Sequence, residues 1–289
     1  MRLVQFFVPG KGKRIGLLRG DSVFDISHAE EGIGSTLDLL RQGKTLAGLL
    51  KRAEWLARTL RRRALDWREL QRAPSRRAPH ALIPLDVPEV WVTRPAGIPA
   101  GARPAVFFKA TASRCAGPGA PLTPRADSRC TRPRPGLGLI LSAQGDVLAL
   151  TGYLGLSAED LAQAHPLFLS QSETYDGCCA LGPCLLTADE IDGDAQLQMR
   201  LSLLRERGAG ASEAFRAAPW RELRAPVPWL LRDNACPAGS VLAVEVPLAA
   251  ALPAVEAGDR VELEVQAVGR LSHAVHCGAG HQGPGSGGE

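Results

Sequence analysis

From Pro104 onward the chain consists largely of short strand-forming segments that glycine and proline separate from one another. The segments are AVFFKA, LGLILS, DVLALTGYL, CLLTADE, VLAVEV and RVELEVQ. Branched and aromatic residues favour strands, and glycine and proline mark turns. Helices are predicted at 157–164 and around 213–232, where three prolines shorten the second. The pattern predicts an α+β fold that is mainly β, and a parallel doubly wound sheet would contradict it.

The first 75 residues differ from this body. Residues 2–8, 14–18 and 22–26 are short and β-prone, and turn-rich spacers join them into hairpins. From Ser35, a residue type that begins helices, apolar residues recur at helical spacing as far as Trp67. We predict a small N-terminal sheet-and-helix domain over 1–75, a Pro-rich connector over 76–103, a main domain over 104–277 and a disordered tail over 278–289.

Composition excludes several protein classes. Of the 289 residues, 45% are hydrophobic and 22% are charged, as in an ordinary globular protein. The sequence contains no apolar run of about 18 residues, and at its N-terminus the apolar stretch precedes the positive charges, the reverse of a secretory signal. We therefore expect a cytoplasmic protein without a membrane partner. Seven cysteines without regular spacing favour reduced thiols over a disulfide framework.

Arginines are concentrated in the helical stretch 51–72. Such a face could contact nucleic-acid phosphates. Acidic residues interrupt the charge at Glu54, Asp66 and Glu69, and no aromatic platform or binding motif accompanies it. A solvated helix face is the favoured interpretation, and no nucleic-acid partner is expected.

Several motifs over residues 81–275 occur together in a characteristic order. They are PLDVPEVWV (84–92), VFFKA (106–110), GPGAPL (117–122), PLFLSQ (166–171), TYDGCCALGP (174–183), TADEI (187–191) and AGDRVELEVQAVGRL (257–271). In order and spacing they resemble the fumarylacetoacetate hydrolase family, and within it the branch of 2-dehydro-3-deoxy-D-arabinonate dehydratases. The resemblance implies a main domain of rolled β-sheets, a small N-terminal domain and a homodimer.

The resemblance also implies a chemistry. Enzymes of this family hold a divalent cation, normally Mg²⁺, with two Glu and one Asp, which suits a hard cation. The cation binds the 2-keto acid group of the substrate and stabilises the enolate that forms when a proton leaves.

The chain departs from the family at the metal site. Arg134 and Gly136 stand where the family has its Glu-x-Glu pair, and Gly155 stands where it has the ligand Asp. An arginine beside a divalent cation is repelled strongly in a partly desolvated pocket. The sequence therefore predicts that Mg²⁺ is not bound.

The substrate pocket departs as well. Glu173 replaces a substrate-binding Lys, and the stretch 91–104 is too short for the family's active-site lid. The family's Thr-Gly-Thr loop reads Val244, Glu245 and Val246 here. Arg134 and Glu173 each reverse the charge that the family has at their position, so we predict that they form a salt bridge across the vacated metal position, within about 4 Å of each other.

The pocket candidates are Lys109, Arg134, Asp160, Glu173 and Tyr175. Lys109 interrupts an apolar strand, so it either faces the pocket or forms a structural ion pair. Asp160 survives from the family's metal-binding turn, where it serves either chemistry or a helix start. No catalytic set is intact.

Two further clusters have alternative interpretations. Cys178 and Cys179 lie in an apolar segment, where buried packing is favoured over a reactive thiol. His273, His276, Cys277 and His281 offer soft ligands for Zn²⁺, although their spacing matches no strong motif.

These observations leave several functional hypotheses open. The first is a metal-free, noncatalytic or repurposed member of the family that keeps its fold for binding a small carboxylate ligand, a partner or a second copy. The second is an active lyase or hydrolase that acts on a 2-keto acid or related carboxylate without a metal. It requires an open pocket in which Arg134, Lys109 and an acid converge. The third, weakest hypothesis is that the family's activity persists through relocated ligands.

Overall fold

The computed structural model describes residues 1–27, 33–58, 64–94, 102–206, 208–250 and 252–277. In these ranges the strands are β1 (Arg2–Val8), β2 (Gly12–Arg19), β3 (Ser22–Asp25), β4 (Leu65–Asp66), β5 (His80–Ala81), β6 (Val90–Arg94), β7 (Ala105–Ala110), β8 (Cys115–Ala116), β9 (Thr131–Leu141), β10 (Val147–Ala158), β11 (Cys179–Thr187), β12 (Gln198–Leu204), β13 (Ala211–Arg216), β14 (Val241–Glu245), β15 (Arg260–Val265) and β16 (Gly269–Ala274). The tail predicted to be disordered, 278–289, lies outside the described residues.

The helices are short. They are α1 (Thr36–Gly43), α2 (Leu46–Arg58), α3 (Trp67–Leu70), α4 (Glu159–Ala164), α5 (Leu169–Glu173), α6 (Trp220–Leu223) and α7 (Val227–Leu230), with 3₁₀ turns at Ala112–Arg114, Pro166–Phe168 and Ala188–Glu190. The helix start predicted at Ser35 is confirmed, because the Ser35 hydroxyl accepts a hydrogen bond from the backbone N–H of Asp38 at 3.1 Å. None of the described helices is long and apolar enough to cross a bilayer.

One long sheet organises the molecule. Its strands follow the order β4-β3-β2-β1-β11-β10-β9-β14-β6-β7, with β5 added to β1 and β8 added to β11. Within the described ranges, only β6 against β14 and β8 against β11 run parallel to a neighbour. A second, antiparallel sheet has the order β13-β12-β15-β16. The predicted fold class, α+β and mainly β, is confirmed.

The long sheet is buried on both faces. Side chains alternate along a strand, so Leu137, Leu139 and Leu141 of β9 pack into a core shared with the second sheet. Ile140 packs on the opposite face, in a core shared with Leu40 of α1 and with α2. The long sheet therefore lies between the second sheet and the N-terminal helices, and β9 and β10 run through its centre.

The N-terminal strands extend the long sheet rather than forming a sheet of their own, because β1 pairs with β11. The segment 76–103, predicted as a connector, contributes β5 and β6, and β6 lies between β14 and β7. Its short strand VWVTR, between proline-rich stretches, gave too weak a periodic signal to be recognised as part of the sheet. The division of the chain into domains remains a prediction.

Three predicted helical stretches differ from the structure. The helix predicted at 157–164 begins at Glu159, because β10 continues to Ala158. The stretch 213–232 holds the end of β13 and the two one-turn helices α6 and α7, since prolines interrupt it. In the Arg-rich stretch 51–72, α2 is described as far as Arg58 and α3 begins at Trp67.

Candidate functional site

Neighbouring strands bring together Arg134, Gly136 and Gly155, the three residues that the resemblance aligned with the family's metal ligands. Arg134 lies opposite Gly155 in the ladder between β9 and β10, and Gly136 lies opposite Glu245 in the ladder between β9 and β14. Parallel pairing of β14 with β6 matches Val244 with Thr93, which puts the next residue of β6, Arg94, beside Glu245. The site is therefore built on the ends of adjacent strands.

A buried ion pair lies next to this site, outside the cavity lining. Lys109 of β7 and Glu173 of α5 are both 0% exposed, and Nζ lies 2.7 Å from Oε2. Lys109 Nζ also donates to the backbone oxygen of Leu156 at 2.7 Å, and the Ser157 hydroxyl donates to Oε1 of Glu173 at 2.7 Å. Of the two roles considered for Lys109, the structure therefore shows the ion pair.

Arg94 links this buried ion pair to Glu245, because it contacts both Glu173 and Glu245. Its Nε lies 2.6 Å from Oε2 of Glu245, and its Nη2 lies 3.3 Å from Oε1 of the same carboxylate and 2.9 Å from Oε1 of Glu173. The guanidinium also lies 5.4 Å from the centre of the Phe107 ring. Burial would lower the pKa of Arg94, but Glu245 and Glu173 raise that pKa above its ordinary value. The side chain is a permanent cation held by two carboxylates.

A second ion-pair group lies at the open side of the site. Glu159, at the start of α4, contacts Arg134 through Nη2 and Arg132 through Nε, the latter at 3.1 Å. Arg132 Nη1 also donates to the backbone oxygen of Leu252 at 3.1 Å. The two arginines project from the same face of β9, since they are two residues apart.

Between these two groups is a cavity of about 160 Å³. Its charged walls are Arg94, Arg132, Arg134, Glu159 and Glu245, and its apolar walls are Pro133, Pro135, Val246, Pro247, Leu248 and Leu252. The cavity is small compared with the roughly 300–1,000 Å³ of sites for drug-sized ligands.

Gly136 and Gly155, which the resemblance aligned with metal ligands, have no room for a side chain. A Cβ at Gly155 would lie 2.3 Å from Oη and 2.8 Å from Cζ of Tyr153, so the tyrosine ring occupies the space that an Asp would need. A Cβ at Gly136 would lie 2.5 Å from the backbone oxygen of Val244. A carboxylate at either position requires the surrounding structure to move.

The remaining carboxylates do not fit a divalent cation. Glu159, Glu173 and Glu245 each contact at least one Arg or Lys nitrogen. Arg94 already occupies the position between Glu173 and Glu245 that a bridging cation would take. Among the described residues, no group of three or more His, Cys, Asp or Glu side chains is arranged to hold a metal ion. Oxygen ligands that are free of other cations are what a hard divalent cation requires, and these three carboxylates do not supply them.

Three buried titratable groups at or beside the site, Glu173, Tyr153 and Tyr175, have shifted pKa values that do not suit proton transfer near neutral pH. Burial would raise the pKa of Glu173, but Lys109 and Arg94 hold that pKa below its ordinary value, which makes the carboxylate a weak base. Burial raises the pKa of Tyr153 and of Tyr175 above the ordinary value, which makes both poor acids. A general acid or base works best when its pKa lies near the operating pH.

The predicted salt bridge between Arg134 and Glu173 is wrong. Arg134 pairs with Glu159, and Glu173 pairs with Lys109 and Arg94. The prediction failed because it assumed that two residues at one site must pair with each other. Each reversed charge has instead a closer partner on an adjoining element.

The other two candidates lie outside the cavity lining. The Asp160 carboxylate accepts hydrogen bonds from the Ser128 hydroxyl at 2.6 Å and from the backbone N–H of Arg129 at 2.8 Å, so it ties α4 to the loop before β9. The Tyr175 ring packs against the core, and its buried hydroxyl has no hydrogen-bond partner among the described residues.

Sequence reasoning missed three residues of the site. Arg94 ends a strand that was assigned to the connector, and Tyr153 was read only as part of an apolar strand. Glu245 was noted as a departure from the family's Thr-Gly-Thr loop, but its pairing with Arg94 depends on the parallel ladder between β14 and β6. The signal available in the sequence was Glu245 itself, an isolated acidic residue at the end of an apolar strand.

The thiol and histidine clusters take structural roles. Cys178 and Cys179 are fully buried, and the pKa of each is raised, by contact with a neighbouring thiol and by burial, so neither is a reactive thiol. His273 is also buried, and its Nδ1 lies 2.8 Å from the backbone oxygen of Ala120. His276 and Cys277 are exposed, and His281 lies outside the described residues.

No protein-family model matches the chain. In sequence it is 35% identical over 178 residues to 2-dehydro-3-deoxy-D-arabinonate dehydratase of Saccharolobus solfataricus. This match covers 58% of the chain and spans 57% of that relative's length.

Solved structures extend the likeness to nearly the whole chain. The apo form of 2-keto-3-deoxy-D-arabinonate dehydratase superposes with a TM-score of 0.78 at 26% identity, over 96% of this chain and 99% of that one. The same dehydratase complexed with magnesium and 2,5-dioxopentanoate superposes with a TM-score of 0.74 at 26% identity, with the same coverage of both chains.

Proposed function

We propose that this chain is a member of the fumarylacetoacetate hydrolase family in which ion pairs replace the divalent metal site, since 2-keto-3-deoxy-D-arabinonate dehydratase is a homologue. It does not dehydrate 2-keto-3-deoxy sugar acids by the metal-dependent route. It keeps the fold as a ligand-binding protein.

One observation carries this proposal: every carboxylate at the site is already neutralised. Glu173 is held by Lys109 and Arg94, Glu245 by Arg94, and Glu159 by two arginines. A divalent cation would have to displace these partners and leave several cations unpaired in a partly buried site. Unpaired buried charges are costly, so the ion-paired arrangement supports a site without the metal.

The alternative of a metal-independent lyase or hydrolase has less support. It requires Lys109, Arg134 and an acid to converge on an open pocket. Lys109 and Glu173 are fully buried and bonded to each other, and they do not line the cavity. The lowered pKa of Glu173 removes it as a base near neutral pH.

A turnover assay separates these functions. The full chain is incubated with 2-keto-3-deoxy-D-arabinonate and Mg²⁺, and in parallel with EDTA, while loss of substrate is followed by chromatography. The Saccharolobus solfataricus dehydratase is the positive control. We expect no turnover above the enzyme-free blank in either condition.

Two results would overturn the proposal. Turnover that EDTA abolishes would mean that the family's metal chemistry persists through ligands that the ion pairs conceal. Turnover that EDTA leaves unchanged would instead establish the metal-independent enzyme.

A further inference from the structure

The charges around the cavity do not balance. The two ion-pair groups contain four cations, Arg94, Lys109, Arg132 and Arg134, and their carboxylates are Glu159, Glu173 and Glu245. The cluster therefore carries one net positive charge, and the described lining of the cavity supplies no further carboxylate. A partly desolvated positive charge favours the approach of an anion.

Two arginines also keep hydrogen-bond donors free. A guanidinium has five N–H donors. Arg94 uses Nε and Nη2, so its Nη1 has no protein partner among the described residues. Arg134 uses Nη2, and its Nη1 has no protein partner in the same ranges. Both side chains line the cavity, so the unbalanced charge and the free donors occur in the same place.

The rest of the lining limits what can bind. Pro133, Pro135, Pro247, Leu248 and Leu252 present apolar surface without side-chain donors. The volume of about 160 Å³ admits only a small molecule. The occupant that fits has a single negative charge at one end and a short apolar chain at the other.

We propose that this cavity binds a small aliphatic monocarboxylate. The carboxylate accepts hydrogen bonds from the free donors of Arg94 and Arg134, since guanidinium groups match carboxylates in shape and charge. The short chain packs against the apolar wall. This inference rests on the proposed function, because it places the anion in a site that the ion pairs keep free of a divalent cation.

A phosphate-type anion fits less well. Its second charge would leave the cluster with a net negative charge, and its outer oxygens would face proline and leucine side chains. An unpaired, desolvated oxygen costs free energy. Charge and lining thus both favour the monocarboxylate.

Calorimetric titration of the EDTA-treated full chain tests this assignment with three probes. Butyrate has the charge and the apolar chain, butyramide has the same shape without the charge, and inorganic phosphate has the charge without the chain. We expect butyrate to bind with one site per chain, and butyramide and phosphate to bind at least about tenfold more weakly, since one charge-assisted hydrogen bond is worth at least that factor.

Substitution locates the site. R134Q should weaken butyrate binding by about tenfold to a hundredfold, the equivalent of one charge-assisted hydrogen bond. R68Q, which changes an exposed arginine in a surface pair with Asp21, should leave binding unchanged. If R134Q does not fold, the comparison of butyrate with butyramide in the unchanged chain still decides the question.

The proposal is overturned if butyrate binds no more tightly than butyramide or phosphate, or if R134Q binds it as well as the unchanged chain does. These failures differ from failure of the proposed function. That function fails if the chain shows turnover, whereas this inference fails on the metal-free protein alone.

Discussion

At the scale of single residues, the site depends on buried charges that are stable only when each is paired with an opposite charge. Lys109 and Glu173 are both fully buried, and Ser157 and Arg94 satisfy the remaining oxygen of the carboxylate. A buried pair adds little net stability compared with apolar residues, but removing one partner leaves an uncompensated charge.

Glu173→Gln should therefore lower the free energy of unfolding by about 3–5 kcal/mol, because Lys109 loses its counter-charge. Chemical denaturation monitored by circular dichroism measures the change. Asp21→Asn, which breaks the exposed pair with Arg68, is the matched control and should change stability by less than about 1 kcal/mol. Equal effects of the two substitutions would contradict the account.

His273 should make stability depend on pH. Burial lowers its pKa to about 4, from an ordinary value of about 6.5. Between these values the unfolded chain binds a proton that the folded chain does not, so the free energy of unfolding falls as pH drops from about 6.5 to 4.

The comparison of His273→Asn with His276→Asn isolates this effect in denaturation curves across that pH range. The loss of stability on acidification should be smaller in His273→Asn than in the unchanged chain. His276 is exposed, so its substitution should leave the pH profile unchanged. Identical profiles for both variants would show that His273 does not contribute.

At the scale of elements, the β9–β10 ladder determines what the former ligand positions can hold. Gly155 lies opposite Arg134, and the Tyr153 ring fills the space above Gly155. Tyr153, which lies on the same strand, therefore obstructs an acidic side chain at position 155.

Gly155→Ala should destabilise the chain by about 1–3 kcal/mol, because its Cβ would overlap the Tyr153 ring in a packed core. The same substitution in a Tyr153→Leu background should cost less, with a coupling of at least about 0.5 kcal/mol in a double-mutant cycle. Gly193→Ala is the control, since nothing lies within 4 Å of a Cβ at that position. Strictly additive effects would show that the ring does not obstruct position 155.

The sequence predicts an element well when the signal for that element lies in neighbouring residues. The hairpin strands β1 to β3 and the helix start at Ser35 depend on neighbouring residues, and their patterns predicted them within a few positions. β6 was missed because this short strand is stabilised by parallel pairing with β14, which comes from distant sequence. The ion pairs were predicted in type but not in partner, because pairing depends on strand register and on where α4 and α5 place Glu159 and Glu173.

At the scale of the whole molecule, three consecutive apolar residues are exposed in the part of the chain that the structure describes. Leu167, Phe168 and Leu169 are 80%, 40% and 39% exposed, and they are consecutive. Adjacent exposed apolar residues are typical of interaction surfaces. The expectation of a homodimer remains a prediction.

We expect sedimentation velocity to show a dimer and Leu167→Asp to shift it toward the monomer, because a carboxylate cannot be buried unpaired in an apolar interface. Leu204→Asp is the control, since Leu204 is 46% exposed at the end of β12. A monomer in the unchanged chain, or an equal effect of both substitutions, would contradict the expectation.

The central claim is that ion pairs exclude a divalent cation from the site between Arg94, Arg134 and Glu245. Titration of the full chain with Mn²⁺, a paramagnetic substitute for Mg²⁺, tests it most directly by electron paramagnetic resonance. We predict that the signal of free Mn²⁺ rises with added metal as it does in buffer alone. A loss of free signal equivalent to one Mn²⁺ per chain, reversed by excess Mg²⁺, would contradict the claim.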